Sequence, residues 1–467
     1  MNGDSIANRF ANGLPQHRGG RDWGWLSTLV AALEPLIITR RCNSGDARIN
    51  LMKPQRPIAV PFRFASARAI LLLLAIVAFV PAPYAMAADA GAFGGTRAIP
   101  RMPVYETKYY RVYTDVDPEE VKEACIRMTK MAEEYHNRTS DFAGQITQKL
   151  PFYLFKSAQE YYAAGGIPNS AGVFNGTRLM AIGDKRYGRQ IWHIVQHEGF
   201  HQFVRAVIGG DIPIWVNEGM AEYFGEAIFT GDGFVSGVIP PGRLQRVRKT
   251  MQLSAQNGGF RPAGDMMALS HAQWNRELSL KNYDQAWSMV QFLAHGDNGK
   301  YQQAFGRYMG MVGSGQDPQE AWARNFGDDT QAFDARWRDY WKSLSASPTS
   351  DLYAQATVAT LTSFLARAFD QQQRFASFDA FSQAAEAGTL RSSPDEWLPP
   401  TLLSATLRDL AVRRQNGEKF SFTSSAGNRP PEVICAGAEG LHVVGKFTLD
   451  EGHVDKVTTI VTSAKHS

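Results

Sequence analysis

The chain has 467 residues, 44% of them hydrophobic, which is enough for two or three domains with ordinary buried cores, and its composition reads as globular. Its 49 Lys and Arg outnumber 45 Asp and Glu only slightly, and ten of the basic residues against four acidic ones fall within the first 87, so the remainder is slightly acidic. The overall charge therefore gives no ground for a nucleic-acid or anionic-membrane binder, whose electrostatic footprint needs basic residues gathered on the folded domain, and no nucleic-acid partner is expected.

The basic segment has its own explanation. Lys53, Arg56, Arg63 and Arg68 precede an apolar run from Ala69 to Val80, followed by Pro81, Pro83 and the triplet Ala85-Met86-Ala87. Basic start, apolar stretch and small-residue site are the three parts of a secretory signal peptide, so residues 52–87 are expected to be one, cleaved near Ala87. The product would be periplasmic or secreted. The run is shorter than the ~20 residues of a membrane span, so no stable span is expected after cleavage. Residues 1–51 are then out of place, either disordered or upstream of a true start at Met52. Of three cysteines, Cys42 would leave with the leader, and whether Cys125 and Cys435 pair is open.

A Gly/Ala/Pro-rich linker over 88–103 leads to an expected strand from Tyr109 to Val116. Asp117-Pro118-Glu119-Glu120 supplies a cap, a first-turn proline and acids at the positive helix end, predicting a helix to about Tyr135. Pro151–Phe155 reads as a second strand, and Gly172–Ile182 as a hairpin turning at Asn175-Gly176. Two helices are expected next, at about Gln190–Val207 and Val216–Ala227. Over 240–345 the patterns Asp284–His295, Tyr301–Met311, Pro318–Phe326 and Thr330–Leu344 predict a helical bundle. Ser345–Ser350 reads as a linker, Leu352–Phe375 as a helix, and the alternation from His442 to Leu449 with the turn Asp450-Glu451-Gly452 as a β element. The fold class is therefore α+β: a small mixed sheet, then a His-Glu-x-x-His helix and a mostly helical bundle over 104–345, with a helical and β accessory region over 351–467.

The chemistry concentrates in His197-Glu198-Gly199-Phe200-His201. Histidines four apart on a helix share a face, so both imidazoles can reach one tetrahedral ion, while the glutamate between them falls round the turn, where it can serve as a general base. Ile191, Trp192, Ile194, Val195, Phe200 and Phe203 give the helix the apolar periodicity this geometry needs. His193 shares the face of His197 and reads as an ordinary packed or partly exposed histidine. Gly199 costs about 1 kcal/mol relative to Ala in mid-helix, which suits close approach of a substrate backbone or a facing helix.

Downstream, Trp215-Val216-Asn217-Glu218-Gly219-Met220-Ala221-Glu222-Tyr223-Phe224 resembles the second zinc helix of the gluzincin, or peptidase MA-like, superfamily, with its Asn-Glu-Gly-x-Ala motif. The resemblance covers roughly residues 105–345 and is closest to uncharacterised bacterial peptidase MA-like domains. It implies Zn2+ held by His197, His201 and Glu218, Glu198 as the base, and a polypeptide substrate. Sixteen residues separate His201 from Glu218, a short connection through Gly209-Gly210 that leaves Glu222 as the other candidate ligand. With Glu218 coordinating, Glu222 would accept the second N–H of a ligand histidine.

Tyr283-Asp284-Gln285-Ala286 resembles the Tyr-x-x-Ala helix start of the same domains, which makes Tyr283 the candidate oxyanion donor and Tyr223 the alternative. By the same resemblance, Gly172–Phe174 with Arg178, Met180 and Ala181 would supply a sheet edge for an extended peptide. The expectation is an exported zinc metallopeptidase. A non-catalytic peptide- or cell-wall-binding protein on the same scaffold, and a zinc hydrolase of a non-peptide amide, remain as alternatives.

Overall fold

Strand alternation buries Tyr110, Val112 and Thr114 on one face of β2 (Tyr110–Thr114), which β1 (Val104–Glu106) flanks antiparallel. The computed structural model describes residues 101–183, 188–208, 211–423 and 429–462. The upstream segment 1–51, the expected signal peptide 52–87, most of the 88–103 linker, Cys42 and Gly209-Gly210 lie outside the described residues. Helix α1 (Pro118–Thr139) begins at the expected proline and buries Val121, Ala124, Met128, Met131 and Tyr135 along one face. Next come β3 (Leu150–Phe155), a short α2 (Ala158–Ala163), β4 (Gly172–Phe174) and β5 (Leu179–Ile182). The sheet order is β1-β2-β3-β5-β4, with β2, β3 and β5 parallel and β4 antiparallel to β5.

This order corrects one expectation. Met180 and Ala181 sit on β5, which is hydrogen-bonded to β3 on one side and β4 on the other, so they cannot form an edge. Arg178 precedes the strand and lies over the Tyr153 ring. The hairpin folds the chain back so that β4 takes the outer position. There Ala171 O and Asn175 N bond toward β5, which leaves the backbone of Gly172 and Phe174 facing outward.

Helix α3 (Gly188–Val207) crosses the sheet and α4 (Ile214–Gly225) packs against it. Every residue of α4 is buried. The close fit starts at Gly199: a Cβ there would lie 3.0 Å from the Tyr135 hydroxyl, so the neighbour that requires glycine is α1. Gln196 then ties α3 to the end of α4, its Nε2 donating to the carbonyls of Phe224, Gly225 and Ala227. Beyond a short hairpin, β6 (Ile228–Phe229) and β7 (Phe234–Val235), come α5 (Pro241–Met251), α6 (Ala263–Met267) and α7 (His271–Arg276). The expected bundle follows as α8 (Leu280–Gly299), α9 (Gln302–Gly313), α10 (Pro318–Phe326) and α11 (Thr330–Ser343). Helical geometry in α8 stops at His295, because Gly296, Asp297 and Asn298 depart from it.

The C-terminal region has its own core. Helix α12 (Ser350–Asp370) stops short of the expected Phe375, with Gln372 at φ 57°, and is followed by α13 (Phe378–Glu386) and α14 (Pro400–Gln415). Strands β8 (Lys419–Phe422), β9 (Val433–Ala436), β10 (His442–Asp450) and β11 (His453–Thr462) form an antiparallel sheet in the order β11-β10-β9-β8. Helix α12 covers one face of it, burying Val358, Leu361 and Leu365 with Val433, Val443 and Phe447. Arg367 anchors this region to the β6–β7 turn through two bonds to Asp232, at 2.8 and 2.9 Å. Cys125 and Cys435 are both free thiols. Among the described residues, no helix is long and apolar enough to cross a membrane.

Helix α4 is packed tightly at Gly219, where a Cβ would stand 2.6 Å from both the Ala286 carbonyl oxygen and Val290 Cγ2 of α8. Gly219→Ala should therefore destabilise the fold by about 1–3 kcal/mol through overpacking. A urea midpoint equal to wild type would show that these helices do not pack so closely.

Candidate metal centre

Three side chains from two helices converge on one point. His197 and His201, one turn apart on α3, bring their Nε2 atoms to 3.1 Å of each other. Glu218 of α4 places Oε2 at 3.4 Å from the first and 3.5 Å from the second. A tetrahedral ion with ligands at about 2.0–2.1 Å separates its donor atoms by roughly 3.3 Å, so the triangle has the size such an ion requires. All three residues are buried, and Glu218 is wholly inaccessible.

Glu218 is the decisive member. Neither of its carboxylate oxygens accepts a hydrogen bond from the protein. An ionised carboxylate held that way costs several kcal/mol unless a cation lies against it. Of the two candidate ligands, Glu218 therefore takes the position facing both Nε2 atoms.

The imidazoles are presented for the same purpose. His201 Nδ1 lies 3.1 Å from Asn217 Oδ1, an acceptor, so the proton belongs on Nδ1 and the lone pair on Nε2. His197 Nδ1 lies 3.1 Å from Glu222 Oε1, which is within ion-pair distance although the ring N–H is not aligned with it for a hydrogen bond. Its lone pair likewise falls on Nε2. Two lone pairs 3.1 Å apart, with a carboxylate beside them, repel unless a positive charge sits between them. In the absence of a cation, a proton on His197 meets the same demand. Burial alone would keep His197 neutral, but Glu218 and Glu222 outweigh it and push its pKa up to about 10. Burial likewise opposes ionisation of Glu218, yet the two histidines hold it down at about 2.

Glu198 points elsewhere, as its place in the helix requires. Its Oε2 accepts the Phe174 backbone N–H of edge strand β4 at 2.8 Å, which fixes the carboxylate between sheet edge and histidines. Burial raises its pKa, against the opposing pull of His197, His201 and the Phe174 amide. Tyr283, at the start of α8, has its ring centred 6.2 Å from that of His197. Burial and the charges of Glu218, Glu222 and Glu198 hold its hydroxyl well above the usual tyrosine range, so it stays protonated. Tyr223, the alternative, is committed elsewhere: its hydroxyl meets His295 Nε2 at 2.9 Å and its ring stacks on that imidazole. His193 stays outside the triangle, 3.8 Å from Glu222 Oε2.

Some of what holds the centre together has no sequence signal of its own. Asn217 sits inside the recognised motif, but its bond to His201 depends on the crossing of α3 and α4. Arg243 of α5 pairs with Glu222 at 2.6 Å and with Asp284 at 2.9 Å, residues 21 and 41 positions away. No spacing rule connects them.

Residues 192–311 are similar to a family whose model is described as a protein of unknown function (DUF1570). That span holds both histidines, Glu198, Asn217, Glu218, Glu222, Arg243 and Tyr283. None of the curated proteins compared with the chain matches it.

Among the described residues, His197, His201 and Glu218 form a candidate divalent-cation site. Asn217→Ala removes the acceptor that fixes the His201 tautomer and should weaken that site roughly 10- to 100-fold. Competition titration against a chelator checks this, and unchanged affinity would remove Asn217 from the support of the site.

Proposed function

We propose that this protein is an exported zinc metallopeptidase of the gluzincin type, with Zn2+ held by His197, His201 and Glu218. The observation that carries the reading is the Glu218 carboxylate, buried with no protein donor and aimed at two histidine lone pairs. Two nitrogens and one carboxylate would hold zinc with three protein ligands, the number a catalytic zinc site takes from its protein. When bound, zinc supplies Lewis acidity toward a carbonyl and lowers the pKa of water to about 7.

The remaining roles belong to the chain. Glu198, kept basic by burial and oriented by the Phe174 amide, takes a proton from the attacking water and passes it to the leaving nitrogen. A structural metal site needs no such base. Tyr283, kept protonated by its surroundings, donates to the oxyanion that develops on the scissile carbonyl. An extended polypeptide would approach the site beside β4, the outer strand of the sheet, whose Phe174 amide already meets Glu198. Export rests on the order of basic, apolar and small residues over 53–87, with cleavage near Ala87.

Profiling wild type over a mixed peptide library, with and without chelator, tests the reading. Glu198→Gln should retain zinc and lose about 10²- to 10⁴-fold in turnover. Cleavage by that variant at the wild-type rate would sink the mechanism, and a zinc-loaded wild type that cleaves nothing would sink the activity. Tyr283→Phe should keep its zinc and lose about 10²- to 10³-fold in kcat, the effect of removing one oxyanion donor. An unchanged kcat would take Tyr283 out of the reaction.

A further inference from the structure

Behind His197 lies a buried ionic chain that the proposed reaction does not use directly. Glu222 divides its two oxygens: Oε1 is 3.1 Å from His197 Nδ1, and Oε2 is 2.6 Å from Arg243 Nη1. Arg243 is itself almost wholly buried and has no freedom to swing. Its Nη1 also meets Glu226 Oε1 at 2.9 Å, its Nε meets Asp284 Oδ1 at 2.9 Å, and its Nη2 lies 3.5 Å from the Tyr283 carbonyl oxygen. Its guanidinium sits 4.2 Å from the Trp287 ring centre. Asp284 is gripped a second time, by Arg246 at 3.0 and 3.1 Å. One planar fork thus joins α4, which carries Glu218 and Glu222, to the first turn of α8, which carries Tyr283.

We infer that Arg243 is a positioning residue for the metal centre: by holding one oxygen of Glu222, it aims the other at His197 and fixes the tautomer that leaves His197 Nε2 for the metal. Charge neutralisation alone would not need this geometry. A lysine could supply the charge, but it cannot reach Glu222, Glu226 and Asp284 along three fixed N–H directions. His193, Glu222 and Glu226 also lie close enough together to suggest a second cation site. Arg243 already supplies the positive charge to both of those carboxylates, so the cluster serves the first centre.

The inference rests on the metal-centre reading above, and a double-mutant cycle on Zn2+ affinity separates the two. Wild type, Arg243→Met, Glu222→Gln and the double variant are titrated with Zn2+ against a chelator, with urea midpoints measured alongside. Arg243→Met should weaken Zn2+ binding by about 10- to 100-fold, the usual effect of losing a ligand's outer partner. In the Glu222→Gln background the same substitution should produce no further loss, because Arg243 acts through Glu222. The d–d spectrum of the Co2+ form should shift in the same pattern. If Arg243→Met does not fold, Arg243→Lys takes its place with the same expected pattern. Wild-type affinity in the Arg243 variant, or an equal loss in both backgrounds, overturns the positioning role alone. A wild type that binds no Zn2+ overturns the metal centre and this inference together.

Discussion

A buried carboxylate with no protein donor is the constraint around which this molecule is built. Glu218 lies on a helix with every residue buried, is itself wholly inaccessible, and faces the Nε2 atoms of two histidines. An arrangement of that kind is costly in a fold that must be stable, and a cation between the three atoms offsets the cost. The surrounding architecture keeps the three atoms from relaxing apart. Gln196 registers α3 against α4 through three carbonyls, Gly199 makes room for the Tyr135 side chain of α1, and Gly219 lets the backbone of α8 close in.

A second tier of polar groups settles the direction of the first. Asn217 and Glu222 each occupy the Nδ1 side of one histidine, so both rings present Nε2 inward. Glu222 is in turn held by Arg243, and Arg243 by Asp284. Each added charge is opposite in sign to the one before, which is how several ionised groups share an interior without large net repulsion. This chain ends beside Tyr283, so helix packing, histidine orientation and the tyrosine's position are mechanically one unit.

The sheet contributes by its edge. Because β4 turns back antiparallel on β5, the Phe174 N–H faces the motif helix and takes Glu198 as its acceptor. The acid between the two histidines is thereby held apart from the His197–His201–Glu218 triangle. The C-terminal region meets the half that carries the His-Glu-x-x-His helix at the β6–β7 hairpin, directly after α4, through Arg367–Asp232 and a small cluster of Val235, Val238 and Ala356. It carries a separate core of its own.

Local periodicity determined much of this in advance. Histidines at i and i+4 in an apolar-patterned helix must share a face, and the helix after Trp215, the bundle segments and the Asn175-Gly176 turn each follow from residues within a few positions of one another. The same locality explains the misses: two-residue strands β6 and β7 are too short to carry a period, and Gln372 ends α12 where the pattern alone would continue. What only the tertiary structure decided are the choices between distant groups. It placed β4 rather than β5 at the edge, gave Tyr223 to His295, and brought Arg243 between Glu222 and Asp284. Those outcomes depend on how helices and strands far apart in sequence cross, and a crossing angle is set by packing across the whole core rather than by any short run of residues.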